Sequence, residues 1–172
     1  FADLDYFAGF TPFNLTLSAV LILGAASRSQ LRTLIIFLLV SFSIGFGVEV
    51  LGTQTGFPFG TYWYLDNLGL KWIEVPLIIG INWFLLAYST ALWSAKFFNH
   101  SMAKAMVGAS LMVSLDFFIE PLSKTLGFWA WEGDIIPWQN YLAWWIVAFV
   151  IHLAFAKMRL NDDNPLARWY LP

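Results

Sequence analysis

Five stretches of this chain, at about 11–27, 33–53, 73–94, 102–122 and 138–157, stay apolar for longer than any soluble helix requires. A helix crosses the hydrocarbon core with about 20 such residues, within a usual range of about 17–25. In lipid each backbone N–H and C=O must be satisfied inside its own segment, so five segments of this kind specify a helical bundle. Composition agrees: 59% of residues are hydrophobic and 12% charged, against roughly 25% charged in an ordinary soluble domain. The expected fold class is an all-α integral membrane protein, one transmembrane domain over residues 1–172 with a polar tail at 158–172. About five helices are expected, or six or more if a segment precedes Phe1, because the chain does not begin with Met and its start lacks the basic-then-apolar build of a signal peptide.

Prolines punctuate these segments. Pro12 and Pro76 fall in expected first turns, where a missing N–H costs nothing, Pro121 is expected to close the fourth helix, and Pro137 precedes the fifth. Lys and Arg set the orientation. Arg28, Arg32, Lys96, Lys104, Lys157, Arg159 and Arg168 fall on one side and only Lys71 and Lys124 on the other. The richer side, with the C-terminus and the tail NDDNPLARWYLP, is expected to be cytoplasmic, and Asp3 and Asp5 to lie across an inner or plasma membrane from it.

Several function classes drop out. A net charge of −2 with no block of like charge gives no reason for a nucleic-acid partner. Cysteine is absent, which removes thiolate catalysis and thiolate metal sites together. His100 and His152 have no His or carboxylate partner at helical spacing, so no metal site is expected. GxSxG, GxxxxGK and GxGxxG do not occur.

The two loops at about 54–72 and 123–137 hold most of the chemically distinctive residues, and both are aromatic-rich and on one face. The stretch DFFIEPLSKTLGFWAWEGD (116–134) puts Asp116 and Glu120 at the end of an apolar helix. Four residues apart, they share a helix face, and two carboxylates that close in a low dielectric resist ionising together. Glu49 sits near the same end of its helix after SFSIGFGV, where Gly45 and Gly47 are expected to allow close helix approach. Glu74 is expected at the start of the third helix, with Glu132 and Asp134 in the second loop, which brings six carboxyls to one leaflet. Glu132 and Asp134 have a plain alternative reading as groups in headgroup water, and Glu49 and Asn82 as interhelical hydrogen bonds.

A weak internal repeat links the loops. Glu49 precedes GFPF (56–59) by seven residues and Glu120 precedes GFWAW (127–131) by seven, and each loop then runs into Pro, Asn and an aromatic, as IEVPLIIGINW (73–83) and DIIPWQNY (134–141). Helices two and three would repeat as four and five about an axis along the membrane normal.

Carboxyls and aromatic rings without a cofactor suit one reaction well: protonation of an alkene, with the resulting cation drawn to ring faces. Rings within reach are Phe57, Phe59, Tyr62, Trp63, Tyr64, Trp72, Trp83, Phe117, Trp129, Trp131, Trp138 and Trp144. Any one of them could equally belong to an interfacial aromatic belt.

The run EVLGTQTGFPFGTYWY (49–64), followed by VPLIIGINWFL (75–85), LDFFIEP (115–121), GFWAW (127–131) and IPWQNYLAWW (136–145), resembles the carotenoid biosynthesis membrane proteins that include the CruF-type carotenoid 1,2-hydratases. The likeness covers about residues 40–150. It implies hydration of the terminal 1,2 double bond of a lycopene-like carotenoid, giving a tertiary alcohol without a redox cofactor. Its implied partners are a hydrophobic polyene substrate and membrane lipid, with a second copy of the chain or another carotenoid-pathway enzyme as protein partner. Family members usually carry Gly where this chain has Glu74, which leaves the role of Glu74 open.

Combining residues and resemblance, Asp116 or Glu120 is the expected acid, Glu49 the group that activates water, and Asn82 and Asn140 the residues that hold it. Phe57, Phe59, Tyr62, Tyr64, Trp83, Trp129, Trp131 and Trp144 are expected around the substrate. Two alternatives stay open. A membrane lycopene cyclase starts from the same protonation, but such enzymes carry Pro-x-Glu-Glu where this chain has IEVPLI. A non-catalytic carotenoid- or lipid-binding subunit would use the same carboxyls to join helices.

Overall fold

Among the described residues of the computed structural model, five helices are long and apolar enough to cross a membrane: Tyr6–Ala25, Arg28–Thr55, Leu77–Phe97, Ser101–Ser123 and Trp138–Lys157. The structure describes residues 2–158 and Leu160. Expectations for Arg159, Arg168, the tail from 161 onward and the side chains of Asp3 and Asp5 lie outside the described residues. In chain order the elements are α1 (Ala2–Ala8), α2 (Thr11–Ala25), α3 (Arg28–Thr55), β1 (Tyr62–Tyr64), β2 (Lys71–Trp72), β3 (Val75–Pro76), α4 (Leu77–Phe97), α5 (Ser101–Ser123), β4 (Trp129–Trp131), a 3₁₀ turn (Glu132–Asp134) and α6 (Trp138–Lys157).

Helix limits follow local chemistry. Pro12 lies in the first turn of α2, whereas Pro76 and Pro137 are extended N-cap residues of α4 and α6, where their fixed φ aims the chain into the helix without the loss of a hydrogen bond. The third segment therefore starts at Leu77 and not at 73. Residues Ile73 and Glu74, both at positive φ, turn between β2 and β3 instead, so Glu74 is an exposed turn residue. Pro121 lies inside α5, which runs on to Ser123. Arg28 and Arg32 belong to the opening turns of α3.

α4 is the axis of the bundle. It contacts α2, α3, α5 and α6 and buries Trp83, Phe84 and Ala87 completely. α2, by contrast, turns Phe13, Val20 and Leu21 outward to lipid, the side such residues prefer in a bilayer. Small residues set how closely the helices approach. A Cβ at Gly45 of α3 would come 2.2 Å from the Trp83 ring, and one at Gly80 of α4 would come 2.4 Å from Phe42. Gly47 has nothing within 4 Å and faces outward, so of the expected pair only Gly45 serves helix contact.

The two long loops join each other on one face. β1 pairs antiparallel with β4 in the register Tyr62↔Trp131, Trp63↔Ala130 and Tyr64↔Trp129. Backbone bonds from Glu132 to Thr61 (3.0 Å) and from Leu65 to Phe128 (2.8 Å) extend the pairing. The result is a small hydrogen-bonded cap over the ends of α3, α4, α5 and α6, which positions the site.

Overpacking a close contact of this kind costs about 1–3 kcal/mol, or roughly 2–12 °C in Tm for a chain of this length. Gly45→Ala and Gly80→Ala should each lower the melting temperature by that amount in detergent-based thermal unfolding, and Gly47→Ala should leave it unchanged.

Candidate active site

Three of the six carboxyls are buried under the cap: Glu49 at 2% exposure and Asp116 and Glu120 at 4% each. Burying an ionisable group stabilises a structure only where hydrogen bonds replace its water. Glu49, on α3, accepts bonds from the hydroxyls of Tyr62 (2.5 Å) and Tyr64 (2.8 Å) on Oε2 and from Trp83 Nε1 (3.2 Å) on Oε1. Glu120, on α5, accepts from the indoles of Trp129 (3.0 Å) and Trp131 (2.7 Å) on Oε2 and from Asn140 Nδ2 (3.0 Å) on Oε1. The same amide of Asn140 reaches Asp116 Oδ2 at 3.4 Å, so Asp116 and Glu120 share one donor as well as one helix face.

Strand alternation supplies these donors. Tyr62 and Tyr64 point to the same side of β1, with Trp63 exposed between them, and Trp129 and Trp131 do the same on β4. Each strand thus aims two aromatic donors at the carboxylate of its own repeat unit. Burial, and after it the charge of Glu49, push the Tyr62 and Tyr64 phenols above the usual tyrosine range. Their hydroxyls therefore keep their protons and stay available as donors.

The repeat seen in sequence has a geometric counterpart. Gly56 and Gly127, each seven residues after its glutamate, both take a positive φ, 74° and 68°. Trp83 and Trp144 each come seven residues after an N-cap proline, and their rings stack at 4.2 Å between centroids. β1 meets β4 about the Trp63↔Ala130 pair. Gly45 and Asp116 occupy the position four residues before each glutamate: one makes room for Trp83, and the other adds a third buried carboxyl.

Between the two glutamates lies a cavity of about 30 Å³, lined by Glu49, Phe59, Tyr62, Tyr64, Ile79, Asn82, Glu120, Trp129, Trp131, Asn140 and Trp144. That volume matches about one water molecule. Of the expected site residues, this lining brings together Glu49, Glu120, Asn82, Asn140, Phe59, both tyrosines, Trp129, Trp131 and Trp144. Trp83 contributes through Glu49, and Asp116 stands behind Asn140. Phe57 does not belong: it is 69% exposed while Phe59, two residues on, is buried. Trp63, Trp72, Phe117 and Trp138 are exposed as well, as belt rings are, and Glu132 and Asp134 lie at the surface. Sequence reasoning missed Ile79, an apolar residue with no chemical flag. It stands three residues after Pro76 as Asn140 stands three after Pro137, so the repeat itself held the signal.

Chemically, the cavity can hold a proton on one carboxyl, accept one on the other, and place aromatic faces around whatever lies between them.

The chain matches the family described as carotenoid biosynthesis protein over residues 10–168. It is 29% identical over 119 residues to the bisanhydrobacterioruberin hydratase of Haloarcula japonica, an alignment that covers 64% of this chain and 40% of that relative. The chain thus spans less than half the length of the curated relative it matches. No solved structure matches it.

A hydrogen bond between neutral groups contributes about 0.5–1.5 kcal/mol. Trp131→Phe should therefore destabilise the protein by at least that amount, and the part owed to the hydrogen bond should vanish when Glu120 is already Leu. A double-mutant cycle of thermal melts checks this coupling.

Proposed function

Because the chain belongs to the carotenoid biosynthesis protein family, we propose that it is a hydro-lyase that adds water across the terminal 1,2 double bond of a lycopene-like polyene. The observation that carries this reading is the pair of hydrogen-bonded carboxyls, Glu49 and Glu120, lining one cavity with room for about one water. The name of the Haloarcula japonica relative points the same way.

The acid is Glu120, with Asp116 behind it sharing the Asn140 amide. Its proton joins the less substituted carbon of the double bond as the π electrons form the new C–H bond, and the tertiary cation develops at the more substituted carbon. Three donors that cannot take the proton back, two indole N–H groups and an amide N–H, stabilise the carboxylate left behind. Aromatic faces of Phe59, Trp129 and Trp144 stabilise the cation. Water held near Asn82 and Asn140 forms the C–O bond and passes its surplus proton to Glu49. Proton return from Glu49 to Glu120 through the next water closes the cycle, so one water is consumed and no redox cofactor is needed.

An isoprenoid end group is larger than the cavity. It binds only if the half-buried rings of Trp129 and Trp144 move aside, while the rest of the polyene lies along the helices in lipid. The charge bias of the described termini and turns, with Arg28, Arg32, Lys96, Lys104 and Lys157 on one side, supports an orientation in an inner or plasma membrane with the C-terminus cytoplasmic and the cap on the opposite side.

The test is pigment analysis by chromatography and mass spectrometry in lycopene-producing cells that express the chain. The expected product is heavier than its precursor by one water. Positioned proton transfer is worth about 10²–10⁴-fold, and Glu120→Gln and Glu49→Gln should each slow product formation by that factor, with Asp116→Asn intermediate. Phe57→Ala should not change it. A product of unchanged mass would indicate ring closure, and unaltered lycopene bound to the protein a binding subunit; either outcome would refute the hydratase reading.

A further inference from the structure

A second pocket, of about 200 Å³, opens on the cap side of the same glutamate. Its wall includes Ser123, Lys124, Thr125, Asp134 and Ile136, together with Glu120 and Trp131. Glu120 and Trp131 also line the inner cavity, so one hydrogen-bonded pair, Trp131 Nε1 to Glu120 at 2.7 Å, forms the partition between the two spaces.

The character of the outer pocket differs from that of the inner one. Its rim holds Lys124 and Asp134, paired at 2.5 Å with side chains 61% and 66% exposed, and charges this exposed mark a wet surface, because they would be costly against lipid. The volume accommodates several waters. On the Glu49 side the inner cavity is closed by buried rings: Tyr62, Tyr64 and Phe59 are 6%, 8% and 1% exposed.

We propose that the outer pocket is the water channel of the enzyme: the water consumed in each turnover passes from the cap surface between Glu120 and Trp131 into the inner cavity. This inference rests on the hydratase reading and deepens it. The polyene arrives from lipid, and water arrives from the opposite direction, past the acid. Glu120 is thereby placed where it meets each incoming water, through which the proton held on Glu49 can return to it. A narrow route of this kind restricts the admission of water, which suits a carbocation whose capture must be confined to one carbon.

The chain contains no cysteine, which makes a blocking experiment clean. Thr125→Cys, and Ile136→Cys as a second position, are each treated in membranes with a membrane-impermeant sulfonate thiosulfonate reagent. Hydrated product formed from a lycopene-like polyene is then followed, with polyene retention measured in parallel. Asp66→Cys, on the fully exposed side chain outside both pockets, is the labelling control. The expected result is a fall in hydration by at least an order of magnitude at Thr125→Cys or Ile136→Cys, reversed by dithiothreitol, with polyene retention unchanged and the control unaffected. Full activity with both pocket positions confirmed as labelled would overturn the channel while leaving the hydratase reading intact. Loss of polyene retention on labelling would overturn it too, by making the pocket a substrate path. Absence of hydration in the untreated, unsubstituted protein would refute the hydratase reading, and the channel with it.

Discussion

A carboxyl group buried in a membrane protein has to be surrounded by donors, and most of this architecture answers that demand. Taking a charged or polar group out of water without partners costs several kcal/mol, and Glu49 and Glu120 each meet it with three donors. For each glutamate those donors come from two separate places: a strand of the cap and a helix, α4 for Glu49 and the first turn of α6 for Glu120. The loops must therefore fold inward, and the β1–β4 pairing fixes them there. Removing the carboxyls would take away the reason for the tyrosines and tryptophans to point into the bundle.

The repeat adds a second constraint. Each half supplies a helix with a glutamate in its last turns, a strand with two aromatic donors, and a helix started by proline with an indole seven residues on. Joined about the stacked Trp83 and Trp144 rings, two such halves place two acids around one small cavity. The halves are not equal. Tyrosine hydroxyls on the Glu49 side can donate or accept, while the indoles and amide on the Glu120 side only donate. Asp116 and the outer pocket belong to the Glu120 side alone. A symmetric scaffold with unequal chemistry at its two acids is suited to moving a proton in one direction across the alkene and back by way of water.

Much of this was legible in the sequence, for physical reasons that differ from residue to residue. Apolar length gave the five spans, because lipid thickness leaves little freedom. A charge inside an apolar window stands out, so Glu49, Asp116 and Glu120 were visible as candidates before any coordinates. What could not be read was facing. Gly45 and Gly47 look alike in SFSIGFGV, yet only one lies against Trp83. Phe57 and Phe59 look alike in GFPF, yet only the latter turns inward, because the cap's path and not its composition decides. Pro76 and Pro121 were both misplaced by a few residues: a proline is tolerated at the N-cap or late in a helix, and the local sequence does not choose between them. The tyrosines were foreseen as rings for a cation, whereas the structure uses their hydroxyls to hold a carboxylate.

The central claim is that a carboxyl proton and the hydroxyl of one water molecule are added across the terminal double bond. Isotope incorporation tests it most directly: membranes containing the protein convert a lycopene-like polyene in deuterated, oxygen-18-labelled water, and the product is analysed by mass spectrometry and NMR. The expected product carries one labelled oxygen on the tertiary carbon and one non-exchangeable deuterium on the adjacent carbon. Deuterium without labelled oxygen would mean that protonation leads to ring closure or isomerisation, and neither label would mean that the buried glutamates do not act on the alkene at all.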